Sequence, residues 1–360
     1  MKRTALAVAF MICLLLSGCG LLDGREYVWM ELHAIPTAAA GQQDTSAADY
    51  TQLYGVLSRL VETGTMQANI FIGRYDQDRL PGDMQRAMEA IRREHPIGAY
   101  AVLGISYTPG IQGGERVLVV TIEYRRNETE IKKIQRVADN AAAAQAVQAA
   151  LNSCENGIVL LVQAYQEQDY AAIVADCALQ YPEQVMEIPQ VTENVYPEQG
   201  ASRVVELKFQ YQNSRDALLN MQNRVENMFK SAVFFASGYQ SQQMRYARMY
   251  SWLMETNEYT LQTSLTPAYS LLHYGVGDSR AFASVYASLC RRMGLDCTMI
   301  SGTKDGQSWY WNLLCLDGAY YHLDLLQCDE DGLFALKTDD QMKAYVWDYD
   351  AYPKSEGPAA

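Results

Sequence analysis

The chain has 360 residues, 49% of them apolar and 20% charged, enough for two or three domains with buried cores. Its formal net charge is −13 at pH 7, so it carries no basic footprint for nucleic acid. With 4 histidines and no C-x-x-C or H-x-x-x-H spacing, neither a structural metal site nor a cofactor is expected.

The N-terminus, "MKRTALAVAFMICLLLSGC", opens with Lys2 and Arg3, stays apolar from Ala5 to Leu16 and ends in Leu16-Ser17-Gly18-Cys19. The run is too short to span a bilayer and has the layout of an export signal over residues 1–18. Its end resembles the lipobox of bacterial lipoproteins. That resemblance implies a lipid on Cys19 and an extracytoplasmic protein held at the bacterial cell membrane by acyl chains. An ordinary secretory signal ending in small residues is the alternative. Residues 19–49 then form anchor and tether, the stretch "HAIPTAAAGQQDTSAAD" being small and polar. Beyond Cys13 and Cys19 the cysteines are Cys154, Cys177, Cys290, Cys297, Cys315 and Cys328, an even number compatible with disulfides outside the cytoplasm. Cys297 and Cys315, on two neighbouring predicted strands, are the first pair to consider.

A helix is predicted from Tyr50 to Val61, within a lead-in over 50–66, with Leu53, Leu57 and Leu60 on one face. An internal repeat follows, with units over 67–151 and 152–239. "RVLVVTIEYRRNETEIKKIQRV" parallels "RVVELKFQYQNSRDALLNMQNRV", Val137 and Val225 lying 88 residues apart. Each copy has a strand of period two, then Asn127 or Asn213 as helix cap with an acid three residues on (Glu130, Asp216). Upstream, "IFIGRYD" parallels "VLLVQAYQ", and "ISYTPG" parallels "NVYPEQG". Each unit therefore reads strand, helix, strand, strand, helix, an α+β sandwich. "GIQGGE" reads as a hairpin turn, because a strand follows it. A continuous helix from Glu128 to about Leu151 is expected to bridge the copies, with Val137, Ala141, Ala144, Val147 and Leu151 on one side. Apart from turn and cap residues, the repeated polar positions offer no acid–base pair, nucleophile or phosphate loop.

Over residues 240–353, followed by a tail at 354–360, the chain resembles the transglutaminase-like superfamily. Four segments carry the likeness: "MRYARMYSWLMETNEYT", "AYSLLHYGVGDSRAFASVYASLCRRMGLDCTMISG", "WYWNLLCLDGAYYHLDL" and "TDDQMKAYVWDYDAYP". The resemblance implies a papain-like fold, a nucleophile helix packed on an antiparallel sheet. It also implies acyl-transfer chemistry by a cysteine at the helix start, a histidine that shuttles the proton and a carboxylate that orients the imidazole. The family's nucleophile lies about fifteen positions before the glycine that ends its helix. Counting back from Gly294 gives Ser279, and the histidine position of the "HAWN" strand is Trp309. Trp311 and Asn312 are retained, as is Asp324 in "YYHLDL".

A serine hydroxyl is a weak nucleophile without a base in reach, and an indole N–H only donates. With both positions changed, Ser279, Trp309 and Asp324 read as a degenerate triad. Cys290, eleven positions on along the same helix, is several turns away. His322 shares a strand face with Asp324 and is the one candidate for a substitute base, against its reading as a packing residue. Asp278 reads as a helix N-terminal charge.

The expectation is an inactive transglutaminase-like, lipid-anchored surface protein of the cell envelope. It would bind a peptide or glycan of the cell wall, or act as a scaffold for another envelope protein. Trp309, Tyr310, Trp311, Tyr320 and Tyr321 are the candidate groove residues. The alternative is a hydrolase or acyl transferase using Ser279. In a third reading the C-terminal domain caps the repeats, and any function lies in the repeats themselves.

Overall fold

The structure is a computed structural model and describes residues 45–261 and 266–357. The export signal, Cys19 and the tether as far as residue 44 lie outside the described residues. Helix α1 (Tyr50–Thr63) starts where the Asp49 side chain accepts the Gln52 N–H and stops at Gly64, which takes φ 71°. It presents Leu53, Val56, Leu57, Leu60 and Val61 to the first core, as its apolar spacing predicts. Strand β1 (Gln67–Phe71), helices α2 (Leu80–Arg93) and α3 (Pro96–Ala101), and strands β2 (Val102–Gln112) and β3 (Glu115–Tyr124) complete a unit with antiparallel strand order β1-β3-β2. The β2–β3 hairpin turns at Gly113 and Gly114, both at positive φ, as two-residue turns of this hand require.

Helix α4 (Glu128–Lys132) begins with the capping box read from the sequence: Asn127 accepts the Glu130 N–H, and the Glu130 side chain accepts the Asn127 N–H. The expected bridging helix does not continue. Residues Gln135–Asp139 form β4, parallel to β5 (Gly157–Ala164), and α5 (Asn140–Asn152) restarts from an Asp139 cap. Two local choices override the helical pattern. The Asp139 carboxylate accepts the Ala142 N–H and so favours a new start, while Val137 pairs beside Val162 as a strand residue. The alanine-rich segment consequently packs on the second sheet through Ala143, Val147, Ala150 and Leu151.

Helix α6 (Tyr170–Gln180), strands β6 (Gln190–Tyr196) and β7 (Arg203–Gln210), and helix α7 (Arg215–Ser237) follow. The second sheet has the order β4-β5-β7-β6. The first unit runs strand, helix, helix, strand, strand, helix and the second strand, helix, strand, strand, helix, with β5-β7-β6 ordered as β1-β3-β2 and β4 added at the edge. At α7 the cap is Ser214, which accepts the Ala217 N–H, and not Asn213. Asn213 instead donates through its side-chain amide to the buried Glu187, 2.8 Å away.

The C-terminal part comprises α8 (Gln242–Met254), β8 (Glu258–Tyr259), α9 (Pro267–Tyr274), β9 (Val276–Gly277), α10 (Ser279–Arg292), β10 (Cys297–Lys304), β11 (Gln307–Leu316), β12 (Ala319–Leu323), α11 (Leu325–Asp331) and β13 (Tyr345–Trp347). Its sheet has antiparallel order β12-β11-β10-β13. Gly302, between β11 and β13, is tightly enclosed: a Cβ there would lie 2.3 Å from the Val346 carbonyl and 2.8 Å from the Trp311 ring.

Helix α10 is buried along nearly its whole length, every residue from Ser279 to Cys290 except Arg280. Its two central serines are satisfied by the second α/β unit. Ser284 donates to the Leu179 carbonyl, and Ser288 donates to Glu183 at 2.6 Å. No disulfide joins the six described cysteines in this structure. The pair Cys297–Cys315 fails on strand alternation. Cys297 stands opposite Leu314, so Cys315 points to the other face of the sheet.

Candidate functional site

Ser279 is the first residue of α10, placed there by Asp278, whose carboxylate accepts the Ala281 N–H at 2.8 Å. Only 7% exposed, its hydroxyl oxygen accepts the Tyr310 backbone N–H at 3.3 Å. Among the described residues, no imidazole or carboxylate is hydrogen-bonded to it.

Trp309, on β11, donates its indole N–H to Asp324 Oδ2 at 2.8 Å. An imidazole bound to a carboxylate keeps a second ring nitrogen with a lone pair; an indole has none. Trp309 therefore preserves a donor to Asp324 and removes the proton acceptor. Its ring is held by Tyr259, with centroids 5.8 Å apart, and by the Lys304 ammonium, 4.8 Å from the ring centroid.

Asp324 is 3% exposed and caps α11, Oδ1 accepting the Leu326 and Gln327 N–H groups. Its Oδ2 also accepts the Tyr345 hydroxyl at 2.7 Å, and Lys304 Nζ lies 3.7 Å away. Four donors and a neighbouring cation hold this carboxylate. Tyr345 in turn has its phenol pushed far above the usual range, first by burial and then by the charge of Asp324.

His322 does not join Ser279 and Asp324. Its Nδ1 accepts the Trp311 indole N–H at 3.0 Å, and its Nε2 lies 2.8 Å from Asp339 Oδ1. Because indole can only donate, Nδ1 carries no proton, so in the neutral ring Nε2–H donates to Asp339. Both nitrogens are thereby engaged away from the serine. Burial lowers the His322 pKa from its ordinary 6.5, with Asp339 opposing the shift. The unfolded chain therefore takes up protons, as pH falls below 6.5, that folded His322 refuses. Stability from this group is complete above that value and is lost as pH drops through it toward the lower folded pKa. Burial lowers His95 in the same direction. Urea midpoints measured from about pH 7.5 to 5.5 are expected to fall with pH, and less steeply in His322→Gln. Equal slopes would show that His322 is not the responsible group.

The five aromatics do not line one groove. Pairing places Tyr310 and Tyr321 on the face of Leu314 and Asn312, toward α10, where Asn312 donates to the Ala283 carbonyl. Trp311 and Tyr320 lie on the opposite face; Trp311 packs with Ile300, Tyr345 and Trp347, and Tyr320 sits at the edge of that cluster. Trp309, at the beginning of β11, touches both clusters. The crevice bounded by Ser279, Phe282, Tyr310, Asn312 and Asp324 has no space for a water molecule. Lys304, Tyr345 and Asp339 escaped the sequence reading. They reach the site through the long-range β10–β13 pairing and the 322–337 bridge, which no local spacing announces.

No group of three or more His, Cys, Asp or Glu side chains able to hold a metal occurs among the described residues. No helix among them is long and apolar enough to cross a membrane.

Residues 232–347 match the sequence profile of the Transglutaminase-like superfamily, and this part of the chain is a transglutaminase-like domain of papain-like fold. No curated protein matches the chain. Among solved structures it is similar to a TGase at 7% identity and TM-score 0.27, with 47% of this chain and 50% of that one covered. It is also similar to a proposed cysteine protease from Cytophaga hutchinsonii at 13% identity and TM-score 0.25, with 44% and 70% covered. A third is a proposed protease from Parabacteroides distasonis at 8% identity and TM-score 0.22, with 59% and 47% covered. The chain spans about half the length of the first of these.

Proposed function

We propose that the transglutaminase-like domain is catalytically inactive and serves as a structural scaffold in a protein anchored outside the cytoplasm by lipid on Cys19. The observation that carries this reading is the indole of Trp309 bound to Asp324, where the family has its proton carrier. Ser279 is left facing a backbone amide, without a base. A scaffold is favoured over a peptide or glycan bound in the cleft, because the crevice beside Ser279 is filled. The same reading gives α10 its role: a helix once needed to present a nucleophile now ties the sheet to the second α/β unit through Ser284, Ser288 and Arg291.

A serine-directed fluorophosphonate tests the catalytic part. No label on Ser279 and no amine release from glutamine peptides are expected, in the wild-type protein or in Ser279→Ala. Labelling that disappears in Ser279→Ala would overturn the reading. For the anchor, radiolabelled palmitate is expected to appear on the wild-type protein and not on Cys19→Ala, which should be released from the membrane fraction. Unlabelled wild-type protein in the soluble fraction would refute it.

A further inference from the structure

The last helical turns of α10 and the first residue of β10 bring two thiols into one buried cluster. The chain reverses between them at Gly294, φ 67°, and the Leu295 N–H is donated to the Cys290 carbonyl at 3.0 Å. Alternation along β10 then sends Cys297 to the face of its register partner Leu314. Leu314 and Cys290 belong to the same core cluster, and Cys297 packs against it. Cys290 is the neighbouring side chain that acts most strongly on the Cys297 thiol. Cys315 is turned to the other side, and Cys328 is engaged with the backbone of Ala335.

We infer that Cys290 and Cys297 are a disulfide-forming pair that fastens the C-terminal end of α10 to the first strand of the sheet. The supply of oxidant rests on the extracytoplasmic reading above, since dithiols stay reduced in a cytosol. The oxidant is the disulfide of a thiol–disulfide oxidoreductase. One cysteine thiolate attacks it to form a mixed disulfide, and the second thiolate displaces the carrier. An S–S bond forms between Cys290 and Cys297, the carrier's S–S bond breaks, and the two protons and two electrons given up by the thiols leave on the carrier as its dithiol. Burial raises the Cys297 thiol well above its ordinary range, so the docked thiol is a poor nucleophile. The exchange therefore belongs to the stage before β10 closes over the helix.

The experiment refolds reduced full-length protein in a glutathione redox buffer, alkylates the remaining thiols and maps peptides without reduction. The expected product is a peptide joining Cys290 to Cys297, lighter by two hydrogens than the reduced pair and lost on reduction. It should raise the Tm by about 5 °C. Cys315→Ser is expected to keep the link, and Cys297→Ser to lose both link and Tm gain. Alkylation of both Cys290 and Cys297, or linkage of either to another cysteine, overturns the pairing wherever the protein resides, because the buffer supplies the oxidant. A link in refolded protein together with dithiol in protein isolated from cells overturns the export reading instead.

Discussion

A Ser279→Cys/Trp309→His double variant is expected to alkylate with iodoacetamide at pH 6 about 100-fold faster than Ser279→Cys alone. The parts for this repair are present. Residue 309 already directs its ring N–H to Asp324, so an imidazole there can bond the same carboxylate and leave its second nitrogen for residue 279. Residue 279 opens a fourteen-residue helix, where the positive helix end favours a thiolate. An unassisted thiol of pKa about 8.5 is only about 0.3% ionised at pH 6, whereas an imidazolium-paired one is mostly ionised; that ratio sets the expected factor. Equal rates in the single and double variants, with both folded by circular dichroism, would mean that residue 309 does not face residue 279. The inactivity would then need another explanation.

Asp324→Ala is expected to destabilise the protein by about 3–5 kcal/mol, lowering the Tm by roughly 10 °C. Removing this carboxylate strands the Trp309 indole, the Tyr345 hydroxyl and two N–H groups of α11, and it leaves the Lys304 ammonium without its counter-charge. Lys304 retains one hydrogen bond, to Gln327, and is itself largely buried. Asp324→Asn should cost less, because the amide oxygen still accepts while the charge is lost. A carboxylate kept to orient a catalytic base would show the opposite pattern, a loss of turnover with little change in melting. Thermal melts of the two variants against wild type decide between them, and a shift under about 2 °C for Asp324→Ala would contradict the structural role.

Much of the C-terminal fold was legible because its signals are local. The Gly294 stop, the buried run from Ala281 to Leu289 and the alternating strand around Trp311 are all written within short windows. Ser279, Trp309 and Asp324 were located through the family resemblance, and they do lie together. His322 is buried as its packing reading had it, and its candidacy as a substitute base fails. Sharing a strand face with Asp324 says nothing of the ring's direction, which is set by Trp311 and by Asp339 from a distant loop. In the first half, the Asn127 capping box was readable, but the break at Gln135–Asp139 was not. A helical alanine pattern carried across it, and only the open edge of β5 makes a strand the better partner there. Cys297 and Cys315 show how register decides what adjacency cannot, since one step along β11 reverses a side chain.

Enclosure of α10 sets a limit on how this molecule can be cut or recombined. A helix with neighbours all round has no wet side, so its small polar residues are tuned to the carbonyl of Leu179 and the carboxylate of Glu183. Severing the chain ahead of the C-terminal third would lay those hydroxyls and the apolar rows beside them open to solvent. The two halves are therefore obliged to travel together, and a graft of either onto a foreign neighbour would first have to rebuild that seam.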